Sequence, residues 1–530
     1  MKGTKIELLD STLRDGAQSQ GISFSVEDKL DLVRMLDGLG VSYIEGGNPA
    51  SNPKDKAFFN AALGMELKHA KLVAFGSTCR KGSSPEKEET IKALVNAGTE
   101  YVSIFGKSWD LHVEKILETT LEENLRMISD TVKYLVSCGK RVFFDAEHFF
   151  DGYKSNSEHA LQTIKAAAEA GAELIVLCDT NGGTFPEEIV QGVKAAAGAV
   201  EENVRIGIHC HNDCGLAVAD SMAAVKAGAS HIQGTFTGMG ERCGNANLST
   251  IIGNMQIKAG YELIPQENLH KLTECAYHTA EVCNMVLPES MPYVGQSAFS
   301  HKGGMHVDGV IKVRSSFEHI DPSEVGNRRS FVLSELAGRN ALLEKIRDFG
   351  IKLEKNSLDA TRVINKIKEM ENKGYMFEGA DASFELMVLR EMGIFKPFFS
   401  ITDYKIFGSQ AEGATVPASA MIKVRVGDRS EMTADEGRGP VNAIDRALRK
   451  ALEMFYPVLS EMSLADYKVR VIDGGASTAA VTRVLIQSTD GKNTWTTVGA
   501  SEDIISASMT ALTDSIEYML HRKNVYNYMD

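Results

Sequence analysis

The stretch "VRIGIHCHNDCGLAVADSMAAVKAGASHIQGTF" (residues 204–236) holds two short, β-rich apolar runs, "VRIGIHC" and "HIQGTF", joined by a helical segment. Such a unit fits a strand, a covering helix and a parallel strand. Six further runs of the same kind precede it: "KIELLDS", "VSYIEGG", "KLVAFGS", "EYVSIFG", "RVFFDAE" and "ELIVLCD". The segments between them space their apolar residues as helices do, for example Leu30, Leu32, Val33, Leu36 and Leu39, or Leu161, Ile164, Ala167 and Ala168. Eight strands alternating with eight helices over about 260 residues predict an α/β fold, a (β/α)₈ barrel. A doubly wound open sheet is the runner-up, but it normally carries a glycine-rich phosphate turn after its first strand, and "DSTLRDGAQSQG" is not one.

The chain, at 530 residues, is too long for one core. The barrel is expected over residues 1–275. From 276 to 398 helical patterns dominate, as in "LLEKIRDFGIKL" and "LDATRVINKIKEMENK", and this region reads as helical linker subdomains. From 399 to 530 strands return, and an order of strands followed by a helix occurs twice, which predicts a small α+β domain with an internal βββα repeat. A net charge of -14 with no basic run argues against nucleic acid as a partner. The eight cysteines show no CxxC pair and read as reduced thiols. No apolar stretch of about 18 residues is present, so no membrane partner is expected and the predicted location is cytoplasmic.

Residues two apart on a strand share a face, so His209 and His211 project together at the end of the seventh strand, while Ile206 and Ile208 face the helices. Two imidazoles on one side suit a divalent metal, and they equally suit a hydrogen-bonded structural pair. The first strand ends in "STLRDG", which offers Asp15 as a ligand with Arg14 as a fixed cation beside it. "GMGERCGNAN" after the eighth strand offers Asn245, directly or through water. One carboxylate, two imidazoles and an amide leave coordination positions open, a catalytic rather than structural pattern. The donors fit Zn²⁺, Mn²⁺ or Co²⁺, and Mg²⁺ is compatible. Glu147, ending "FFDAE", is placed as a general base, and Thr180 of "LCDTNGG" as a donor to a substrate carboxylate. Asp145 shares the face of Glu147 and is either a substrate contact or a solvated rim carboxylate. Glu45 is either an orienting partner of Arg14 or a structural ion pair.

With these residues placed, "STLRDGAQ", "HCHNDCGLAVADSMAAVKAGA" and "GTFTGMGERCGNANL" resemble the three signatures of the metal-dependent acyl-transferring barrels that include 2-isopropylmalate, homocitrate and citramalate synthases. The resemblance extends through "AFSHKGGMHVDGVIK", "VGNRRSFVLSELAGRN" and the duplicated tail. "FFDAEHFFDGYKSN" with "LCDTNGGTFP" is most similar to the citramalate-forming branch. What it implies is a Claisen condensation of acetyl-CoA with pyruvate, with the larger 2-oxo acids as alternatives. A metal on Asp15, His209 and His211 would bind the oxo acid, Arg14 would stabilise the oxyanion, and Glu147 would be the catalytic Glu. His306 in "GGMHVDG" matches a linker histidine that assists proton transfer; alone it reads as a turn histidine. The resemblance further implies a homodimer with His306 acting in trans, and an effector amino acid, isoleucine, at the C-terminal domain. Two joints there, "DEGRGPVNAID" and "TVGASEDIISAS", feed helix N-termini, where capping and α-carboxylate binding are both open readings. Lyase chemistry and a non-catalytic amino-acid sensor are the other function classes.

Overall fold

The computed structural model describes residues 3–302, 304–331, 343, 345–347, 349–351, 353–354, 357–408, 418–472 and 480–523. The chain divides into two compact units, Met1–Phe299 with Ile320–Arg329, and Ser300–His319 with Ser330–Asp530. The first contains a closed barrel of eight parallel strands in sequence order: β1 (Glu7–Asp10), β2 (Tyr43–Gly47), β3 (Lys71–Ser77), β4 (Tyr101–Lys107), β5 (Arg141–Glu147), β6 (Leu174–Asp179), β7 (Arg205–Cys210) and β8 (His231–Gly234). All eight predicted runs are barrel strands.

Strand alternation divides the core into two layers. Leu8, Ile44, Val102, Phe144, Ile175, Ile206, Ile208 and Ile232 face outward and pack with the helices. Leu9, Tyr43, Val73, Tyr101, Phe143, Leu174, Val176 and Cys178 fill the interior. The first helix, Val26–Leu39, shows how sequence sets an element's limits. Ser25 and Asp28 form a reciprocal capping box at its start, and Gly40 ends it at φ +104°. Its buried positions include Leu32, Val33, Leu36 and Leu39, the helical face read from the sequence.

The second unit contains helices Gly304–Lys312, Leu358–Asn372 and Asp381–Glu391. Two three-stranded antiparallel sheets follow, Ser400–Gly408, Ala418–Val426 and Arg429–Gly437, then Ser463–Val471, Thr482–Thr489 and Thr494–Ser501. Each leads into a helix, Pro440–Glu453 and Ile504–Arg522, so the βββα order is repeated. Much of "VGNRRSFVLSELAGRN" (332–340) and part of "LLEKIRDFGIKL" lie outside the described residues. None of the eight cysteines is disulfide-bonded, and no helix among the described residues is long and apolar enough to cross a membrane.

The barrel floor holds His231, which has no exposed surface and lies 5.7 Å from the Tyr43 ring and 5.6 Å from the Phe143 ring. Neither ring nitrogen has a hydrogen-bond partner, and burial pushes its pKa down to about 3 from 6.5. Below pH 6.5 the unfolded chain therefore binds a proton that the folded barrel refuses, so stability falls with pH from 6.5 towards 3. Relative to His231→Leu, which cannot titrate, the wild type should lose about 2 kcal/mol between pH 7.5 and pH 5. Urea unfolding of both proteins at the two pH values measures this, and identical slopes would refute it.

Candidate metal and catalytic centre

Beyond β1 the chain turns tightly, with the backbone N–H groups of Arg14, Asp15 and Gly16 all donating to the Ser11 carbonyl at 2.8–3.1 Å. This turn carries Arg14 and Asp15 to the C-terminal rim, where (β/α)₈ sites form. Buried Glu45 fixes Arg14: its Oε2 accepts from Arg14 Nε at 2.7 Å and from Ser11 Oγ at 2.5 Å. The guanidinium stacks on Phe75 at 3.9 Å and donates from Nη1 to Asp15 Oδ2 at 2.9 Å. Glu45 thus pairs with Arg14, a contact that fits both of its readings.

His209 on β7 and His211 just past its end project together, with ring centroids 5.2 Å apart. Their Nε2 atoms lie 3.7 and 4.0 Å from Asp15 Oδ2, and one donor atom from each of the three residues falls within 4.8 Å of the others. Separations of this size suit donors around one divalent ion, each about 2.0–2.2 Å from it. Asn245, 2% exposed, donates Nδ2 to Asp15 Oδ1 at 3.0 Å, while its own Oδ1 is buried without a partner. That orphaned oxygen is a donor an added cation would satisfy.

The electrostatics agree with the geometry. Burial pushes His209 down to about 3 and also lowers His211, so both imidazoles stay neutral at pH 7 and keep a lone pair for a cation. Burial opposes ionisation of Asp15, but the Arg14 charge beside it prevails and holds the carboxyl well below the ordinary range. The result is one carboxylate and two neutral imidazoles.

The loop after β8 is held by a close backbone approach: Gly244 has φ +88°, and a Cβ there would stand 2.0 Å from the Gly238 carbonyl oxygen. Asn245 N–H then donates to that carbonyl at 3.0 Å, fixing the amide side chain. Arg242 of the same loop, at φ +56°, donates to both Asp213 oxygens at 2.9 and 3.0 Å and to the Thr180 carbonyl at 2.6 Å. It joins the loops after β6, β7 and β8. The Thr180 hydroxyl accepts from His148 N–H at 2.9 Å, which leaves its own proton to donate.

Glu147 ends β5 and forms an ion pair with Lys107 at the end of β4. Asp145 sits deeper, 4% exposed, accepting from Ser103 Oγ at 2.9 Å and Gln233 Nε2 at 3.1 Å. Burial, with the Glu45 charge adding to it, pushes Asp145 up to about 7. Both of its oxygens are thus engaged within the barrel, so it is not the solvated rim group of its alternative reading. His306 belongs to the second unit, exposed on Gly304–Lys312 with its ring 4.4 Å from Phe317. Of the two helix joints, that before Ile504–Arg522 is capped by the chain's own Asp503, which accepts from Ile505 and Ser506 N–H. Helix Pro440–Glu453 has no side-chain cap.

Sequence reasoning missed Lys107, Arg242 and Gln233. Arg242 lay in a signature already singled out, but nothing in the sequence marks its partners. Lys107 could have been found from its place at a barrel strand's C-terminal end, where charged side chains face the mouth.

Comparison with known proteins follows the same lines. Residues 5–278 match the HMGL-like family, residues 293–375 the homocitrate synthase post-HMGL domain-like family, and residues 378–520 the LeuA allosteric (dimerisation) domain. The chain is 52% identical to the (R)-citramalate synthase of Aquifex aeolicus, covering 97% of this chain and 98% of that one. It is 47% identical to that of Geobacter sulfurreducens, covering 98% of each. A probable 2-isopropylmalate synthase of Methanopyrus kandleri is more distant, 32% identical over 98% of this chain and 99% of its own. Full-length likeness together with the matched barrel shows that the chain belongs to the HMGL-like family, in its (R)-citramalate synthase branch.

Proposed function

We propose that the protein condenses acetyl-CoA with pyruvate and water to give (R)-citramalate and CoA, an acyl transfer in which the acyl group becomes an alkyl group. The observation that carries this reading is the convergence of Asp15, His209 and His211 within 4.8 Å at the barrel rim. Asp15, His209 and His211 would hold a divalent cation, Zn²⁺, Mn²⁺, Co²⁺ or Mg²⁺, with Asn245 beside them. When bound, it supplies Lewis acidity to the keto oxygen and carboxylate of the oxo acid.

The chain's own residues take the remaining roles. Arg14, fixed by Glu45, faces the keto oxygen as charge gathers there. Thr180 donates its free proton to the substrate carboxylate, and Arg242 keeps that threonine in place through its carbonyl. Asp145, with its oxygens occupied by Ser103 and Gln233, serves binding as the floor of the mouth. Glu147 removes a methyl proton of acetyl-CoA, and the resulting carbanion equivalent adds to the keto carbon. His306 serves proton transfer across a homodimer, acting in trans. Three parts make up the chain in this reading: a catalytic barrel at 1–275, linker subdomains at 276–398, and a regulatory domain at 399–530. The last binds isoleucine, the end product of the pyruvate route to isoleucine, and the protein works in the cytoplasm.

CoA release with acetyl-CoA and pyruvate, set against 2-oxoisovalerate and 2-oxoglutarate, tests the substrate; faster turnover of a larger oxo acid would move the protein to 2-isopropylmalate or homocitrate synthesis. In that assay Glu147→Gln should lower kcat by at least about 100-fold while pyruvate affinity stays within about threefold. His211→Ala should hold Mn²⁺ at least about tenfold more weakly in chelator competition, and unchanged affinity would place the ion elsewhere. Isoleucine should bind the full-length protein saturably in calorimetry and slow CoA release; absence of both would remove it as effector.

A further inference from the structure

We propose that Lys107 is a catalytic residue of this condensation, its ammonium donating to the thioester oxygen of acetyl-CoA while Glu147 takes the methyl proton. The proposal rests on the reaction assigned above.

The argument begins with sheet register. β4 and β5 are parallel neighbours in which Ser103 pairs with Phe143, Phe105 with Asp145, and Lys107 with Glu147. Ser103 and Asp145 bond to each other inside the barrel, and their strands' alternation brings Lys107 and Glu147 to the same face at the last position of each strand. There they form an ion pair, with side chains 17% and 24% exposed, so a substrate entering the mouth can reach both. The Lys107 ammonium also lies 5.5 Å from the centre of the Phe105 ring, which anchors its stem.

A cation paired with a general base is a poor arrangement if its only task is structural, because it occupies the oxygen that must receive the proton. The substrate changes that judgement. In an acetyl thioester the methyl carbon and the oxygen flank one carbonyl carbon, so the base and the oxyanion donor must stand side by side. Lys107 and Glu147 do so. In the step, Glu147 takes the proton, the C–H electron pair becomes the carbon–carbon double bond of the enolate, and the carbonyl π pair moves onto oxygen. Lys107 keeps its proton and shares it more strongly as that oxygen becomes anionic. When the enolate carbon adds to the keto carbon, the pair returns to re-form the thioester carbonyl.

Arg14 belongs to the other oxygen: its Nε on Glu45 and its Nη1 on Asp15 hold it beside the metal-ligand set, where the oxo acid would bind. Two oxyanions arise in the reaction, one on each substrate, and the rim presents two separate cations for them.

Lys107→Met and Lys107→Gln, measured beside the wild type with acetyl-CoA and its trideuterated form, test the proposal. Removing an oxyanion donor should lower kcat by about 100-fold or more in the Met variant and less in Gln, which keeps a neutral donor. KM for pyruvate should stay within about threefold, and the deuterium isotope effect on kcat should rise as C–H cleavage becomes limiting. A residue that merely braces Glu147 would instead give equal losses in both variants and a lowered thermal midpoint. Either variant turning over within threefold of the wild type, or slowing with no change in isotope effect, would overturn the proposal. If the Met variant does not fold, the Gln variant decides alone. Wild-type CoA release is the separate control on the reaction itself, so a failure confined to the variants counts against Lys107 only.

Discussion

Glu45 is a carboxylate with no exposed surface, held by a hydroxyl from Ser11 and a guanidinium from Arg14. A charge buried that deeply persists only when paired and hydrogen-bonded. Its partners lie on the turn after β1, so satisfying Glu45 also fixes where that turn goes. Arg14 then reaches Asp15, and Asp15 meets the imidazoles of β7 across the mouth. Removing Glu45 would leave Arg14 without the contact that fixes its guanidinium beside Asp15. The order of dependence therefore runs from a structural ion pair to a ligand and only then to chemistry.

The charges around the mouth are sorted by depth. Asp10 and Asp145, fully enclosed, are pushed by burial up to about 7, so neither needs to carry a full charge at neutral pH. Glu45 and Asp15 are balanced by Arg14 between them. The imidazoles are neutral. An incoming divalent ion therefore meets a carboxylate shared with Arg14 and two imidazole lone pairs. Toward β4 and β5 the sorting differs, because Lys107 and Glu147 form an ion pair whose side chains are partly exposed. One side of the rim suits an ion and a small anionic oxo acid, and the other suits proton removal from a neutral thioester.

Much of this was legible in the chain because barrel geometry is periodic. Alternation along β7 alone puts His209 and His211 on one face with Ile206 and Ile208 behind them, and eight apolar runs alone indicate closure. What the sequence could not disclose depends on register or on backbone handedness. Lys107 and Glu147 are forty residues apart and become neighbours only because β4 and β5 pair in one particular register. Arg242 reaches Asp213 and Thr180 from a left-handed backbone that no residue type other than glycine announces. The joint around Asp503 admits capping or anion binding from sequence alone, and the fold takes the first, its own carboxylate accepting from the helix N–H groups. Local pattern showed which groups face inward, and long-range pairing decided what each one touches.

The two ends of the barrel answer to different demands. At the floor, Tyr43 packs edge to face on Tyr101 and on Phe143, which are tilted against each other, and His231 is tolerated among them with both nitrogens unpaired. That histidine weakens the barrel in acid and does nothing evident for the rim. One layer higher, Cys178 and Val176 continue the apolar filling up to Asp145. Among the described residues this filling closes the barrel beneath the rim, the end at which (β/α)₈ sites form. Enolates are destroyed by stray protons, and a site that forms one needs such a sealed base. The apolar interior that closes the fold would thus also shield the enolate of the proposed condensation.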